Sequence, residues 1–280
     1  MLYFCQMRKL FVKGMNFGYA ILFAFASTFA TEVVRPVTAP HTSIVLGGIL
    51  ELRDDVYSGD MRVSTELAFC KCFSVYSDVS YRFASYQYEV ANFKQQHEIV
   101  DLRVNGFNES YLGFKIFPSD YWGVSANFRF EPGEGSRNDR FQRIAIEPMA
   151  VYPFSKYLLL GASLGYYTFV EKDHFLPGDE LGGNASFVWK PFYKLENSRG
   201  LQFSYVFLMR HRVNESKNKN LKPHFQKMDD RYWGFRMRGE VAYFLESLPF
   251  GYGFSYEMNR GTLFGFETGH RAELFVRYDF

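Results

Sequence analysis

From residue 44 to the end of the chain, apolar side chains return at every second position, in one segment after another. Ile44, Leu46, Leu50 and Leu52 share one face of the first segment. Trp122, Val124, Ala126, Phe128 and Phe130 show the cleanest alternation, and Leu201, Phe203, Tyr205, Phe207 and Met209 repeat it. The last segment places Ala272, Leu274, Val276, Tyr278 and Phe280 on one side, with Glu273, Phe275, Arg277 and Asp279 between them. A period of two marks a strand with one apolar face. About twelve such strands are predicted, one of them spanning 101–117 with weaker residues in its middle.

The connections alternate as well. Short ones are expected near 70–73, 117–121, 153–156 and 246–249, with a longer one at 192–200 on the same side. Longer polar loops are expected at 86–99, 131–140, 171–180 and 211–230, with a short exception at 57–60 and an ambiguous stretch at 260–268. Short turns at one end and long loops at the other are the asymmetry of a transmembrane β-barrel. An even number of strands returns both termini to one side. The fold class expected is all-β, a closed antiparallel transmembrane barrel.

Composition narrows the choice. Aromatic residues make up 20% of the 280, against an ordinary hydrophobic total of 47%. Beyond the N-terminus no apolar run approaches the roughly 20 residues of a membrane helix. A sheet face of Phe, Trp and Tyr needs a cover. A sandwich would supply a second sheet, whereas a bilayer supplies lipid and closure pairs every backbone polar group. Tyr121, Trp122, Trp189, Tyr232, Trp233, Tyr278 and Phe280 cluster at strand ends, where such rings favour a membrane interface. A net charge of +2 argues against a nucleic-acid partner.

At the N-terminus Arg8, Lys9 and Lys13 precede a short apolar core, Phe17 to Phe25, and small residues end at Ala30. This reads as a secretory signal peptide over 1–30, cut after Ala30 with Ala26 as the second option. Residues 31–42, with two prolines, read as a periplasmic lead-in, and 43–280 as the barrel. Cys5 falls in the segment to be removed, and Met7 and Met15 are alternative starts.

If the apolar face meets lipid, the other face turns inward. It carries Arg62, Glu66, Asp78, Arg82, Arg103, Glu109, Arg129, Arg143, Glu147, Arg210, Arg236, Arg238, Glu240, Glu257, Glu273 and Arg277. A charge on the lipid face costs about 2–4 kcal/mol at mid-depth, so their confinement to one face supports this phase. Arg236 and Arg238, with Arg271 and Arg277 on the adjoining strand and Arg62 and Arg82 beyond, suggest a basic strip that attracts anions.

The ending resembles the C-terminal signature of Gram-negative outer-membrane β-barrel proteins. Leu274, Val276, Tyr278 and Phe280 fit it. The resemblance implies recognition by the barrel-insertion machinery and an outer-membrane location among lipid and lipopolysaccharide. It does not name a subfamily.

Three functions follow. The first is a narrow porin-like channel for small polar or ionic solutes, twelve strands lying between the filled lumen of about eight and the open pore of 16–18. The second is a closed structural or adhesin-like barrel acting through 86–99 and the basic loop 211–230. The third is an outer-membrane lipid hydrolase or protease. For a nucleophile the nearest spacing is His41-Thr42-Ser43, and for a protease the acid pairs Asp54-Asp55 and Asp229-Asp230 and the Asp173-His174 pair lie near the outer rim. No catalytic residue is assigned. Cys70 and Cys72 share a turn where a small disulfide or two free thiols both fit. His97, His174, His211 and His224 are scattered, so no metal and no cofactor is expected.

Overall fold

The computed structural model describes residues 35–53, 56–91, 97–130, 142–171, 175–191, 200–218, 227–228, 233–245, 249–261 and 266–279. Their strands are β1 (Ser43–Arg53), β2 (Val56–Cys70), β3 (Phe73–Ala91), β4 (His97–Ile116), β5 (Trp122–Phe130), β6 (Arg143–Ser155), β7 (Leu158–Phe169) and β8 (Phe175–Leu176). They continue with β9 (Glu180–Trp189), β10 (Gly200–Arg212), β11 (Ser216–Asn218), β12 (Lys227–Met228), β13 (Trp233–Phe244), β14 (Phe250–Gly261) and β15 (Phe266–Asp279). Twelve of them close into one antiparallel barrel, and the short β8, β11 and β12 form a separate three-stranded sheet.

Closure is made by the first strand against the last. β1 pairs with β15 from Ser43 opposite Asp279 to Arg53 opposite Gly269. The backbone groups of both strands are thereby satisfied inside the sheet, and no edge is left.

The period of two reads out as the two faces of the wall. Leu164 and Leu274 are each 70% exposed, while Glu273, beside Leu274, is 2% exposed. The outward set on β5, β6, β7, β9, β13 and β14 is the one the sequence pattern selects. Ile144, Ile146, Tyr152, Trp189, Trp233 and Tyr252 all lie on it, and Leu46 and Leu50 of β1 and Met61 and Val63 of β2 face outward in the same way.

Several boundaries differ from the sequence reading. The stretch 57–60 is strand, because β2 starts at Val56. Its polar residues are tolerated in the ladder since Asp60 turns inward and meets Arg82. Most of 86–99 is also strand, since β3 and β4 run for 19 and 20 residues. About 9–11 residues cross a bilayer, so this hairpin projects well past it. The strand placed at 101–117 starts earlier, at His97, and its alternation breaks. The register jumps between Val79 and Tyr81, which face Ser110 and Phe107. One extra residue on β4 is a bulge that reverses the facing of what precedes it. Phe107 accordingly points out, and Ser110 is buried. The side chains of Arg103 and Glu109 lie outside the described ones.

Part of the expected loop 211–230 is strand. His211 and Arg212 end β10, and Lys217 of β11 pairs with Lys227 of β12 and with Leu176 of β8. The sheet is tied to the barrel rim where Val213 N donates to Asp179 O at 2.8 Å and Gly178 N to Ser216 Oγ at 3.0 Å. The acid pairs at 54–55 and 229–230, the Asp-His pair at 173–174, and His224 lie outside the described residues.

The outward face makes one prediction. Leu164→Arg places a charge at mid-strand on the apolar side and lowers unfolding free energy by about 2–4 kcal/mol. Urea titration of the lipid-embedded protein measures it; an unchanged midpoint would show that this face does not meet lipid.

Candidate functional site

The interior is where the charged residues converge. On the wall made by β13, β14, β15, β1, β2 and β3 they form a lattice of ion pairs. Arg62 Nε donates to Asp78 at 3.0–3.1 Å, and its Nη1 to Glu273 Oε1 at 2.8 Å. Glu273 Oε2 accepts from Arg238 Nη2 at 2.6 Å, and Glu240 accepts from the same nitrogen at 3.3 Å. One strand, β1, lies between Glu273 and Arg62. Gly47 of β1 sits level with Arg62 on one side and Phe275 on the other. A Cβ there would lie 2.4 Å from Glu273 Oε1, so glycine lets the carboxylate reach across.

Nearer the far end of β1, Arg82 binds both Asp60 oxygens at 2.8 and 2.9 Å, and Glu51 at 2.9 Å. Arg271 stands 3.8 Å from Glu257. The basic strip expected along this wall is therefore neutralised: Arg62, Arg82, Arg238 and Arg271 each face a carboxylate, and Arg277 Nε donates to Asp279 at 2.7 Å. Arg236 is fully buried, level with Asn259 in register.

The opposite wall is built from arginine and tyrosine. Tyr167 lies between Arg210, 4.1 Å from its ring centre, and Arg143, 4.9 Å away. Arg143 also faces Tyr111 at 5.7 Å, and Arg129 faces Phe169 at 5.9 Å. Arg212 meets Glu180 at 3.2 Å, with Arg210 4.0 Å from the same carboxylate. Gly165 and Gly182, opposite each other in register, clear the floor under the Tyr167 ring. Arginine stacks on aromatic faces at such distances, which fixes the guanidinium planes.

Residues 35–42, read from sequence as a lead-in, run inside the barrel. His41 N donates to Glu66 Oε1 at 3.4 Å near β1 and β2. Lys115 Nζ of β4 donates to Thr38 O at 3.4 Å and to Glu66 Oε2 at 2.8 Å. Val37 N donates to Ser186 Oγ of β9 at 3.0 Å, and Asn184 Nδ2 donates to Arg35 O at 3.3 Å. The Arg35 guanidinium returns to pair with Asp78 of β3. Val37 is buried against Phe117, Met149 and Val151, with Ala39 and Leu159 alongside. Since β7 is six strands from β1 in either direction round the barrel, the segment crosses the lumen. Around it remains a cavity of about 550 Å³, lined by Glu66, Lys115, Glu147, Lys156, Tyr167 and Arg277 among others.

Sequence reasoning named Arg62, Glu66, Asp78, Arg82, Arg129, Arg143, Glu147, Arg210, Arg236, Arg238, Glu240, Glu257, Glu273 and Arg277. The structure places all of them on the inner wall, buried or half-buried. Arg271, named with the basic strip, is buried on the same wall, and the structure adds Glu51, Asp60, Lys115 and Glu180, which sit near strand ends or expected turns. Leu274, Val276 and Tyr278 face outward on β15, and Phe280 lies outside the described residues. His41 Nε2 does stand 3.2 Å from Ser43 Oγ, but Arg277 Nη2 approaches the same nitrogen at 3.5 Å. His41 Nδ1 is 3.2 Å from Ala39 O, and Glu66 Oε2 is 3.6 Å away. These contacts fix the hinge of the lumen segment. Cys70 and Cys72 are free and exposed, and His211 stacks on Trp233 at 4.1 Å. Among the described residues no cluster of metal-ligating side chains occurs.

Two outcomes follow from this geometry. Arg62→Ala leaves Glu273 buried without one of its two arginine partners and lowers stability by about 3–5 kcal/mol. The Arg62→Ala, Glu273→Ala double variant should lose less than the sum of the singles in denaturant titration, and full additivity would deny the coupling. Burial holds the His41 imidazole below its usual value; Glu66 opposes, while Lys115 and Arg277 push the same way. The fold therefore favours the neutral ring, and acidification through the usual imidazole value of about 6.5 weakens the seating of His41. NMR of histidine-labelled protein should give a midpoint below that value; one at or above it contradicts this environment.

No protein-family model and no curated protein matches the chain. Solved structures do. The COG4313 outer membrane channel from Pseudomonas putida F1 superposes with a TM-score of 0.56 at 9% identity, covering 89% of this chain and 100% of the channel. The NanC porin gives 0.50 at 9% identity, covering 85% and 100%. The translocator domain of the autotransporter NalP from Neisseria meningitidis gives 0.50 at 7% identity, covering 99% and 96%. At such identities the likeness is one of fold: the chain shares the closed antiparallel β-barrel of these outer-membrane proteins.

Proposed function

We propose that the protein is a narrow outer-membrane channel for small polar or ionic solutes. One observation carries this reading: a closed twelve-stranded wall that is apolar outside, charged inside, and encloses a cavity of about 550 Å³. A barrel with only a structural role has no need of a polar interior space of that size, which is in the range of small-molecule sites. The lattice on one wall and the Arg–Tyr cluster on the other present fixed charges of both signs to a passing solute. Ion preference then follows from which charges stay uncompensated.

The same reading assigns the ends. The segment 1–30 serves as a signal peptide removed after Ala30, and the short turns face the periplasm. Outward Leu274, Val276 and Tyr278, with Phe280, present the last strand to the barrel-insertion machinery. The outward aromatic residues meet lipid and lipopolysaccharide. The long β3–β4 hairpin and the β8–β11–β12 sheet then stand on the extracellular side.

Arg238→Ala tests the role of the wall. It removes the cation shared by Glu240 and Glu273. The lumen gains negative charge, and the cation-to-anion permeability ratio should rise. The reversal potential of the refolded protein in a planar bilayer under a salt gradient measures this. An unchanged ratio would remove the wall charges from selectivity.

A further inference from the structure

We infer that residues 35–41 are a displaceable gate: a strap across the lumen that seats on Gly161 and holds the channel closed. The inference builds on the channel reading above and adds a closed state with its latch.

The strap is held differently from the barrel. Its contacts come from side chains that project off the wall: Ser186, Asn184, Lys115, Glu66 and Asp78. Each barrel strand, by contrast, is paired along its length by backbone bonds. Releasing the strap breaks none of the ladder that closes β1 on β15, since that pairing begins at Ser43. Among the described residues the strap joins the barrel backbone through His41 and Thr42.

Sequence makes the strap stiff. Pro36 and Pro40 bracket Val37, Thr38 and Ala39. Proline fixes φ and disfavours helix at the residue before it, so the segment is preset as an extended rod. A rod pivots as a unit about its tether instead of coiling into the wall. Its apolar anchor is Val37, which drops among Phe117, Met149 and Val151.

The seat is made for it. A Cβ added to Gly161 would lie 2.7 Å from Val37 O and 2.8 Å from Val37 Cβ. Ser186, which accepts from Val37 N, donates in turn to Gly161 O at 3.4 Å. The two wall residues and the strap therefore form one contact, and the wall side of it can be altered without touching the strap. At the other end Arg35 adds a cation to the Arg62–Asp78 pair. The strap is thus latched to the charged lattice as well as to the apolar seat.

Single-channel recording in planar bilayers tests the gate, with heat-sensitive gel migration confirming that each protein is folded. Gly161→Leu fills the seat, and Val37→Asp puts a charge into the Phe117 pocket; both should unseat the strap. Ala162→Leu puts the same side chain on the outward side and is the control. Wild type and control should stay mostly closed, while both unseating variants open to steps several-fold larger or longer-lived. Equal, steady conductance in all four overturns the gate and leaves the channel standing. Silence in all four, folded, overturns the channel reading and the gate with it. Opening by only one of the unseating variants also overturns it, since both act on one contact.

Discussion

Everything in this molecule depends on the closing of the hydrogen-bond ladder between the first strand and the last. In hydrocarbon, an unpaired backbone N–H or C=O has no solvent to turn to. β1 against β15 removes the two edges that would carry such groups. Closure divides every strand into a lipid side and an interior side, with a change at each residue. The chemistry of the interior is therefore written between the apolar residues and cannot be moved without moving them.

The interior meets its own constraint. Charges that turn inward leave bulk water and must find partners or remain hydrated. On one wall the solution is ionic: Glu273 of β15 bridges Arg62 of β2 and Arg238 of β13, a span of five neighbouring strands, and Arg82 gathers Asp60 and Glu51. On the other wall it is aromatic, with Arg143 and Arg210 both set against the ring of Tyr167. These devices use inward glycines. Gly47, Gly165 and Gly182 stand where a methyl group would strike the neighbouring side chain. Removing bulk at one register position is what lets a long side chain cross to the next strand.

The strap changes the meaning of the interior. The segment that leads into Ser43 crosses the lumen from the β1–β2 side to β7 and β9. The groups that bind the strap are also wall groups: Lys115 and Glu66 hold both each other and the strap. Occupancy of the lumen by the strap and the ionic state of the wall are linked, because the same side chains serve both. His41 sits at that junction, against Glu66, Ser43 and Arg277.

The alternation of apolar residues by itself determined the fold class, a strand count of about twelve and the facing of the fourteen inner-wall residues named from it, because a period of two leaves no freedom about which face is which. It failed on β4, where a bulge between Phe107 and Ser110 reverses the phase, since an inserted residue is invisible until the partner strand is known. It misplaced Tyr57 to Asp60 and 86–99 as connections, because polarity that marks a loop in isolation marks an inner wall when Arg82 waits across the ladder. Which charges pair, as Glu273 with Arg62 some two hundred residues away, was decided only by closure. So was the place of residues 35–42. They have no periodicity to read, and their fit depends on Gly161, Ser186 and Phe117 being brought to one spot by three different parts of the wall.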